Sequence, residues 1–157
     1  MDNKLALKEE ILLLTKQLCA IASVSTDAEK ENECAEFTFN YLSSIKPASP
    51  QTIEAKLIPC EKDPWNRKAV LGFLSSPQSQ RRTILLTGHF DVVATDVCGE
   101  LKSQAFEPDL YTELLRERSL NPEAKKDLHS GNWLFGRGVM DMKGGLALFL
   151  AMIKEYA

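Results

Sequence analysis

The segment that decides the fold is Thr83-Ile84-Leu85-Leu86-Thr87-Gly88-His89-Phe90-Asp91, an apolar run followed by a glycine and by two polar side chains with metal-binding chemistry. A short apolar run ending at Gly88 predicts a strand that is buried on both faces. In open α/β sheets, ligands bind beyond the carboxyl ends of such strands. We therefore expect His89 and Asp91 to stand at the rim of a layered α/β sheet.

Helical and extended patterns precede this run. Apolar residues recur at helical spacing from residue 3 to about 22 and again from 28 to 45. The polar stretch Ser23–Asp27 interrupts the pattern and can cap the second helix. Two extended segments, at 52–58 and 69–74, follow. Helices and strands in this order favour an α/β layered fold.

The connection between residues 96 and 131 is less regular and is expected to lie on the surface, where it can border a site. Residues 109–118 are predicted to form a short helix. Asn121-Pro122 has the pattern of an N-cap followed by proline at the first helical position, so a further helix should begin there.

The chain closes on Leu146–Ile153, which is apolar on every side and predicts a helix inside a larger structure. No Gly, Asn or Pro ends that helix before Ala157. We therefore expect residues 1–157 to be the N-terminal portion of one catalytic domain, truncated within a buried helix and without a second domain. A missing C-terminal half or self-association through this helix should cover its apolar surface.

The bulk composition excludes several classes of protein. With 157 residues, 44% of them hydrophobic, and a net charge of −3, the chain can fold but lacks the basic patches of a nucleic-acid binder. No run reaches the ~18 apolar residues of a membrane span, and the charged N-terminus is unlike a signal peptide. The four cysteines are far apart and are interpreted as reduced thiols. These features indicate a cytoplasmic protein that binds neither nucleic acid nor membrane.

Two motifs carry chemistry. In His89-Phe90-Asp91 the two polar side chains project to the same side of an extended chain, so the Asp91 carboxylate can accept the ring N–H of His89 and leave the other nitrogen for zinc. Taken alone, the pair is also compatible with an ordinary structural role. The second motif, Gly136 to Gly145, places Asp141 at a helix entry, where alone it would be interpreted as an N-cap between turn-forming glycines.

Together and in this order, the motifs resemble those of the aminoacylase/carboxypeptidase family of dinuclear-zinc metallopeptidases, which carry H-x-D-x-V and then G-R-G-x-x-D-M-K-G-G. The resemblance implies a three-layer α/β/α sheet of the zinc exopeptidase type, here incomplete at the C-terminus. Within the family the likeness is greatest to the bacterial arginine-utilisation subgroup. Its cues are the segments 63–69 and 130–138 and the long connection 96–131.

The resemblance also implies site residues and an activity. His89 would bind one zinc ion and Asp141 would bridge two. Asp91 would be a catalytic residue that orients His89. A cis peptide bond is expected after Asp141. The reaction would be hydrolysis of an amide bond in a small amide or peptide substrate, in arginine catabolism if the subgroup likeness extends to function. Cobalt or manganese could replace zinc, because nitrogen and oxygen ligands discriminate poorly among these metals.

The ligand set of the family is not complete in this sequence. The general-base glutamate and the remaining ligands are expected beyond Ala157, and His129 is interpreted as an exposed loop residue. A catalytic zinc usually needs three protein ligands, so the site in this chain should be weak or empty and the chain inactive alone. The alternative is a non-catalytic binding or interaction domain that keeps the fold.

Overall fold

The computed structural model describes residues 3–77 and 82–157. The elements follow one another as α1 (Asn3–Ala20), α2 (Ala28–Ser44), β1 (Thr52–Pro59), β2 (Lys68–Ser75), α3 (Pro108–Leu114), α4 (Pro122–Ser130) and α5 (Gly144–Glu155). Short 3₁₀ helices occupy Asp96–Leu101 and Leu115–Glu117. The described chain is therefore an α/β structure, as the sequence predicts.

The predicted helix caps are confirmed. Asp27 accepts a hydrogen bond from the Lys30 amide at 3.1 Å and begins α2. Asn121 accepts one from the Ala124 amide at 2.8 Å, with Pro122 in the first turn of α4. Each cap satisfies an amide that the helix itself leaves without a partner.

The core lies between α1, α2 and α5. The buried residues there are Leu14, Leu18, Ile21, Cys34 and Leu42, which lie on the two predicted helical stripes, and Ala147, Leu150 and Ala151 of α5. Burial of such side chains is worth about 1.5–3 kcal/mol each. This packing fixes α5, and with it the turn that precedes α5, against α1.

The sheet is an antiparallel pair, β1 with β2, in register from Thr52 opposite Ser75 to Pro59 opposite Lys68. One face packs on α2, where a side chain at Gly72 would meet Leu42 at 2.9 Å, so glycine allows the close approach of helix and strand. On the other face Phe73 is 52% exposed. The hairpin is thus covered on one side only within the described residues.

A charged cluster closes the connection between β1 and β2. The Arg67 guanidinium donates to Asp63 at 2.8 Å and lies over the Trp65 ring, 4.8 Å from its centroid. The hydrogen bonds from Arg67 hold the pKa of Asp63 below its usual range. The cluster orders a loop whose ends lie beside α2.

The buried strand predicted at residues 83–87 does not form. Ile84 and Leu85 are 85% and 81% exposed, and no strand of the described chain pairs with them. A strand between two helical layers needs partners at both edges and a cover on each face, and residues 3–77 and 82–157 supply neither. The sheet described here therefore consists of β1 and β2, and the prediction of a buried strand was wrong for this chain.

The terminal helix α5 buries one face rather than its whole circumference. Ala147, Leu150 and Ala151 are buried in the core, whereas Leu148 on the opposite side is 40% exposed. None of the helices in the described ranges is long and apolar enough to cross a membrane.

Candidate metal centre

Backbone pairing fixes the segment that carries His89. The Val92 amide donates to the Ser23 carbonyl at 2.8 Å, the Ser25 amide donates to the Val92 carbonyl at 3.0 Å, and Val24 and Val92 form a parallel bridge. The Ser23 hydroxyl donates to the Phe90 carbonyl at 2.5 Å. The residues after α1 thus hold the His89–Val92 segment in place.

A tight turn of π-helical spacing, Val139–Lys143, presents Asp141. The Lys143 amide donates to the Gly138 carbonyl at 2.8 Å, and Gly138 adopts a φ of 82° that favours glycine. Asp141 has φ −121° and ψ 99° within this turn, and the cis peptide expected between Asp141 and Met142 is present. Its side chain is 85% exposed. Asp141 does not cap α5, whose N-cap position is Lys143, so the interpretation as an N-cap is wrong.

A buried lysine joins this turn to α1. The Lys143 side chain is 0% exposed, and its ammonium donates to the carbonyls of Leu18 at 2.9 Å and Ile21 at 2.6 Å. Burial is the main cause that lowers the pKa of Lys143. Lys143 thus adds a charged donor to two carbonyls at the end of α1, which also accept from the Ile21 and Ser23 amides at 3.2 and 2.8 Å. The Asp141 turn is therefore held against the C-terminal end of α1, which leads directly into the Ser23–Ser25 segment.

The two histidine nitrogens each face an oxygen acceptor. His89 Nε2 lies 3.0 Å from Asp141 Oδ1, although the residues are 52 positions apart. His89 Nδ1 lies 3.0 Å from the main-chain oxygen of Asp91 and 3.3 Å from its Oδ1. The three side chains predicted as the site, His89, Asp91 and Asp141, are therefore brought together.

This arrangement leaves one contact without a proton when the imidazole is neutral. A neutral ring carries one N–H, whereas both nitrogens of His89 face acceptors, so only one of them can donate. If Nδ1–H points to Asp91, Nε2 and the Asp141 carboxylate are two lone-pair donors facing each other. Two donors at zinc distances of about 2.0–2.1 Å on a tetrahedral ion stand roughly 3.3 Å apart. The observed 3.0 Å is the distance of a direct hydrogen bond, so the two atoms would move apart by about 0.3 Å to share a cation.

The donors present are nevertheless few. Within residues 3–77 and 82–157 no group of three or more His, Cys, Asp or Glu side chains could hold a metal ion. His129, the second histidine of the sequence, is exposed in the last turn of α4, a helix where the sequence suggested a loop. This chain contributes two donor side chains and one orienting carboxylate to the candidate centre.

The candidate centre opens into a cleft that also contains the guanidinium group of Arg137. The cleft is lined by His89, Asp91, Asp141, Met140 and the segments 92–93 and 136–138. Arg137 donates from Nη2 to the Ala94 carbonyl at 3.1 Å. The cleft therefore combines two carboxylates, an imidazole and a guanidinium.

Sequence reasoning did not identify two residues that support this centre. Ser25 donates a 2.8 Å hydrogen bond to Asp91 Oδ2, and Lys143 is buried beneath the Asp141 turn. Ser25 lies in a polar stretch that indicates only a helix break, and lysine is ordinarily an exposed residue. Both roles depend on tertiary contacts across the chain, for which a single sequence gives no local signal.

Similarity to known proteins extends over nearly the whole chain but over only a part of each relative. The chain is 34% identical over 150 residues to the uncharacterized protein YqjN of Bacillus subtilis strain 168, covering 94% of this chain and 26% of that protein. It is 28% identical over 151 residues to Protein RocB of the same organism, covering 95% and 26%. It is 28% identical over 152 residues to N-formyl-4-amino-5-aminomethyl-2-methylpyrimidine deformylase of Halalkalibacterium halodurans, covering 94% and 28%.

The chain thus spans about a quarter of the length of the curated relatives it matches. No family model and no solved structure matches it. The relatives include one protein named for a deformylation reaction, which points towards hydrolase-like chemistry in this group of homologues.

Proposed function

We propose that this chain forms part of a zinc-dependent amidohydrolase in which His89 and Asp141 are metal ligands and Asp91 orients His89. The observation that carries the proposal is the 3.0 Å approach of His89 Nε2 to Asp141 Oδ1 at the mouth of an open cleft. The motifs His89–Val93 and Gly136–Gly145, found in the dinuclear-zinc metallopeptidases, support the same assignment.

Each residue has a distinct task in this proposal. His89 Nδ1 lies 3.0 Å from the Asp91 main-chain oxygen and 3.3 Å from its carboxylate Oδ1, so an Nδ1 proton directed at Asp91 would keep the Nε2 lone pair directed at the metal position. The exposed Asp141 carboxylate has two oxygens and could bind one ion with each. When bound, zinc supplies a nucleophilic water at neutral pH and polarises the amide carbonyl. The general base and the remaining ligands would have to be supplied by other polypeptide, since the described residues hold no group of three metal-binding side chains.

The same additional polypeptide would complete the sheet. Residues 83–87 have the composition of a strand buried on both faces, yet Ile84 and Leu85 are almost fully exposed. Strands that pair with this segment and a further helical layer would convert the fold into the three-layer α/β/α arrangement of the zinc exopeptidases. The segment would then end in His89, at the edge of a parallel sheet where ligands bind.

The substrate class follows from the likeness and from the relatives. A protein whose name specifies deformylation of an aminomethylpyrimidine acts on an N-formyl amide. We propose small N-acyl or N-formyl amides, or short peptides, as substrates, with the arginine-utilisation likeness suggesting amino-acid catabolism. The four cysteines are free thiols, which suits a reducing cytoplasm.

The test uses the complete polypeptide encoded by the reading frame that contains residues 1–157. Amine release from N-formyl and N-acetyl amino acids is measured with and without zinc. We expect hydrolysis that needs zinc and falls at least about 10³-fold in His89→Ala and Asp141→Asn, since loss of a ligand removes the activated water. Hydrolysis unchanged by chelation or by both substitutions would contradict the proposal.

A non-catalytic binding domain is the second candidate, favoured by the lack of a three-ligand group within the described residues. A reading frame that ends at Ala157, together with no hydrolysis of any of these amides, would favour this candidate. A frame that continues into a glutamate pair and a further histidine would favour the hydrolase.

A further inference from the structure

The Asp91 carboxylate makes a contact that neither the motif nor the proposed metal site accounts for. Ser25 Oγ lies 2.8 Å from Asp91 Oδ2, whereas His89 Nδ1 lies 3.0 Å from the Asp91 main-chain oxygen and 3.3 Å from Asp91 Oδ1. One carboxylate oxygen therefore meets a hydroxyl, while the other lies beside the imidazole together with the main-chain oxygen of the same residue.

We propose that Ser25 is a positioning residue that acts through Asp91 on His89, an inference that rests on the proposed metal site. The side chains of His89 and Asp91 are 48% and 43% exposed, so packing alone does not fix their rotation. A hydroxyl proton on Oδ2 fixes the carboxylate plane and thereby leaves Oδ1 directed at the ring. The ring in turn presents Nε2 to Asp141 at 3.0 Å.

The backbone places the Ser25 hydroxyl independently of the carboxylate. The Ser25 amide donates to the Val92 carbonyl at 3.0 Å, and the Val92 amide donates to the Ser23 carbonyl at 2.8 Å. The Ser25 hydroxyl also lies 3.2 Å from the Val92 carbonyl, but it has one proton and the contact with Asp91 is the shorter. The backbone bond of Ser25 thus fixes the main chain that carries the hydroxyl beside Asp91 Oδ2.

The position also lies at the end of α1 that Lys143 binds. The Lys143 ammonium donates to the Ile21 carbonyl at 2.6 Å, four residues before Ser25. The turn that carries Asp141 and the hydroxyl that orients Asp91 therefore both lie at the C-terminal end of α1. Both ligands of the proposed site are consequently set by one structural element.

The test compares Ser25→Ala with Ser25→Thr in the complete polypeptide that contains residues 1–157, and Thr26→Ala, at an exposed neighbouring position, serves as the control. Two readouts are used: the order parameter of the His89 ring C–H bonds without metal, and the zinc concentration that half-saturates His89. We expect Ser25→Ala to loosen the ring and to raise the half-saturating zinc concentration about 10-fold, as for loss of other residues that orient ligands. Ser25→Thr, which keeps the hydroxyl, should restore both.

The double variant Ser25→Ala/Asp91→Asn separates positioning from a general loss of structure. If Ser25 acts through Asp91, the double variant should show no further weakening of zinc binding beyond Asp91→Asn alone. Additive losses, or an unchanged ring order parameter in Ser25→Ala, would overturn the inference. Failure of the wild-type chain to bind zinc at His89 would instead contradict the proposed function, while the metal-free ring measurement would still decide the role of Ser25.

Discussion

Gly144 and Gly145 begin α5 side by side, and replacing each by alanine should have opposite effects. A Cβ added at Gly144 would collide with the Val139 carbonyl oxygen, whereas one added at Gly145 would meet only the end of the Met142 side chain, at 3.3 Å. Gly144 has ordinary helical angles, φ −65° and ψ −38°, so the obstacle is space rather than backbone conformation. Methionine is flexible and can yield; the carbonyl accepts the Gly144 amide and is part of the Asp141 turn.

The expected sizes follow from these contacts. Alanine gains about 0.5–1 kcal/mol over glycine inside a helix, which should appear in Gly145→Ala. In Gly144→Ala the collision with backbone should exceed this gain and cost about 1–3 kcal/mol, the usual range for overpacking. The variants should therefore differ by roughly 1.5–4 kcal/mol, or about 3–16 °C in Tm for a chain of this size. Urea and thermal unfolding measure the difference, and equal stability of the two variants would refute the reasoning.

Three further outcomes are expected. At pH 8 the exposed Cys60 should react quickly with a thiol reagent, whereas Cys19, whose pKa burial raises to about 11, should react only on unfolding; simultaneous reaction of all thiols would contradict this. The pKa of Asp63 is lower in the folded chain than in the unfolded chain, so its carboxylate stabilises the loop above the unfolded pKa and stops doing so as the pH falls through the folded pKa. Trp65 fluorescence should therefore change only in strong acid. The variant Asp63→Asn should show the acid signal already at neutral pH. His89→Ala should change the free energy of unfolding by less than about 0.5 kcal/mol, as at other exposed positions, while abolishing zinc binding; a large loss of stability would indicate a structural role.

Local patterns predicted the helices and the hairpin well. The stripe that includes Leu14 and Leu18 became the core face of α1, and Asp27 became the cap of α2, because periodicity and capping depend on neighbours within a few residues. The prediction of a buried strand at residues 83–87 was wrong for the opposite reason. A buried strand depends on partners elsewhere, and the described chain does not contain them.

The candidate site shows the same division. The motifs predicted that His89, Asp91 and Asp141 would converge, and the structure brings them within hydrogen-bonding distance. The contribution of Ser25 could not be predicted, because its contact with Asp91 joins residues 66 positions apart. The full burial of Lys143 was equally hidden, since its two carbonyl acceptors, Leu18 and Ile21, lie 125 and 122 positions away in the sequence.

The central claim, that His89 and Asp141 share one metal ion, can be tested most directly by titrating zinc into the chain while observing both imidazoles by NMR. The sequence contains two histidines, so His129 is an internal control for nonspecific binding. We expect the His89 Nε2 signal to shift at lower zinc concentrations than any signal of His129. In Asp141→Asn the two histidines should respond at the same zinc concentration. Equal responses of the two rings, or a preference for His89 that survives Asp141→Asn, would contradict it.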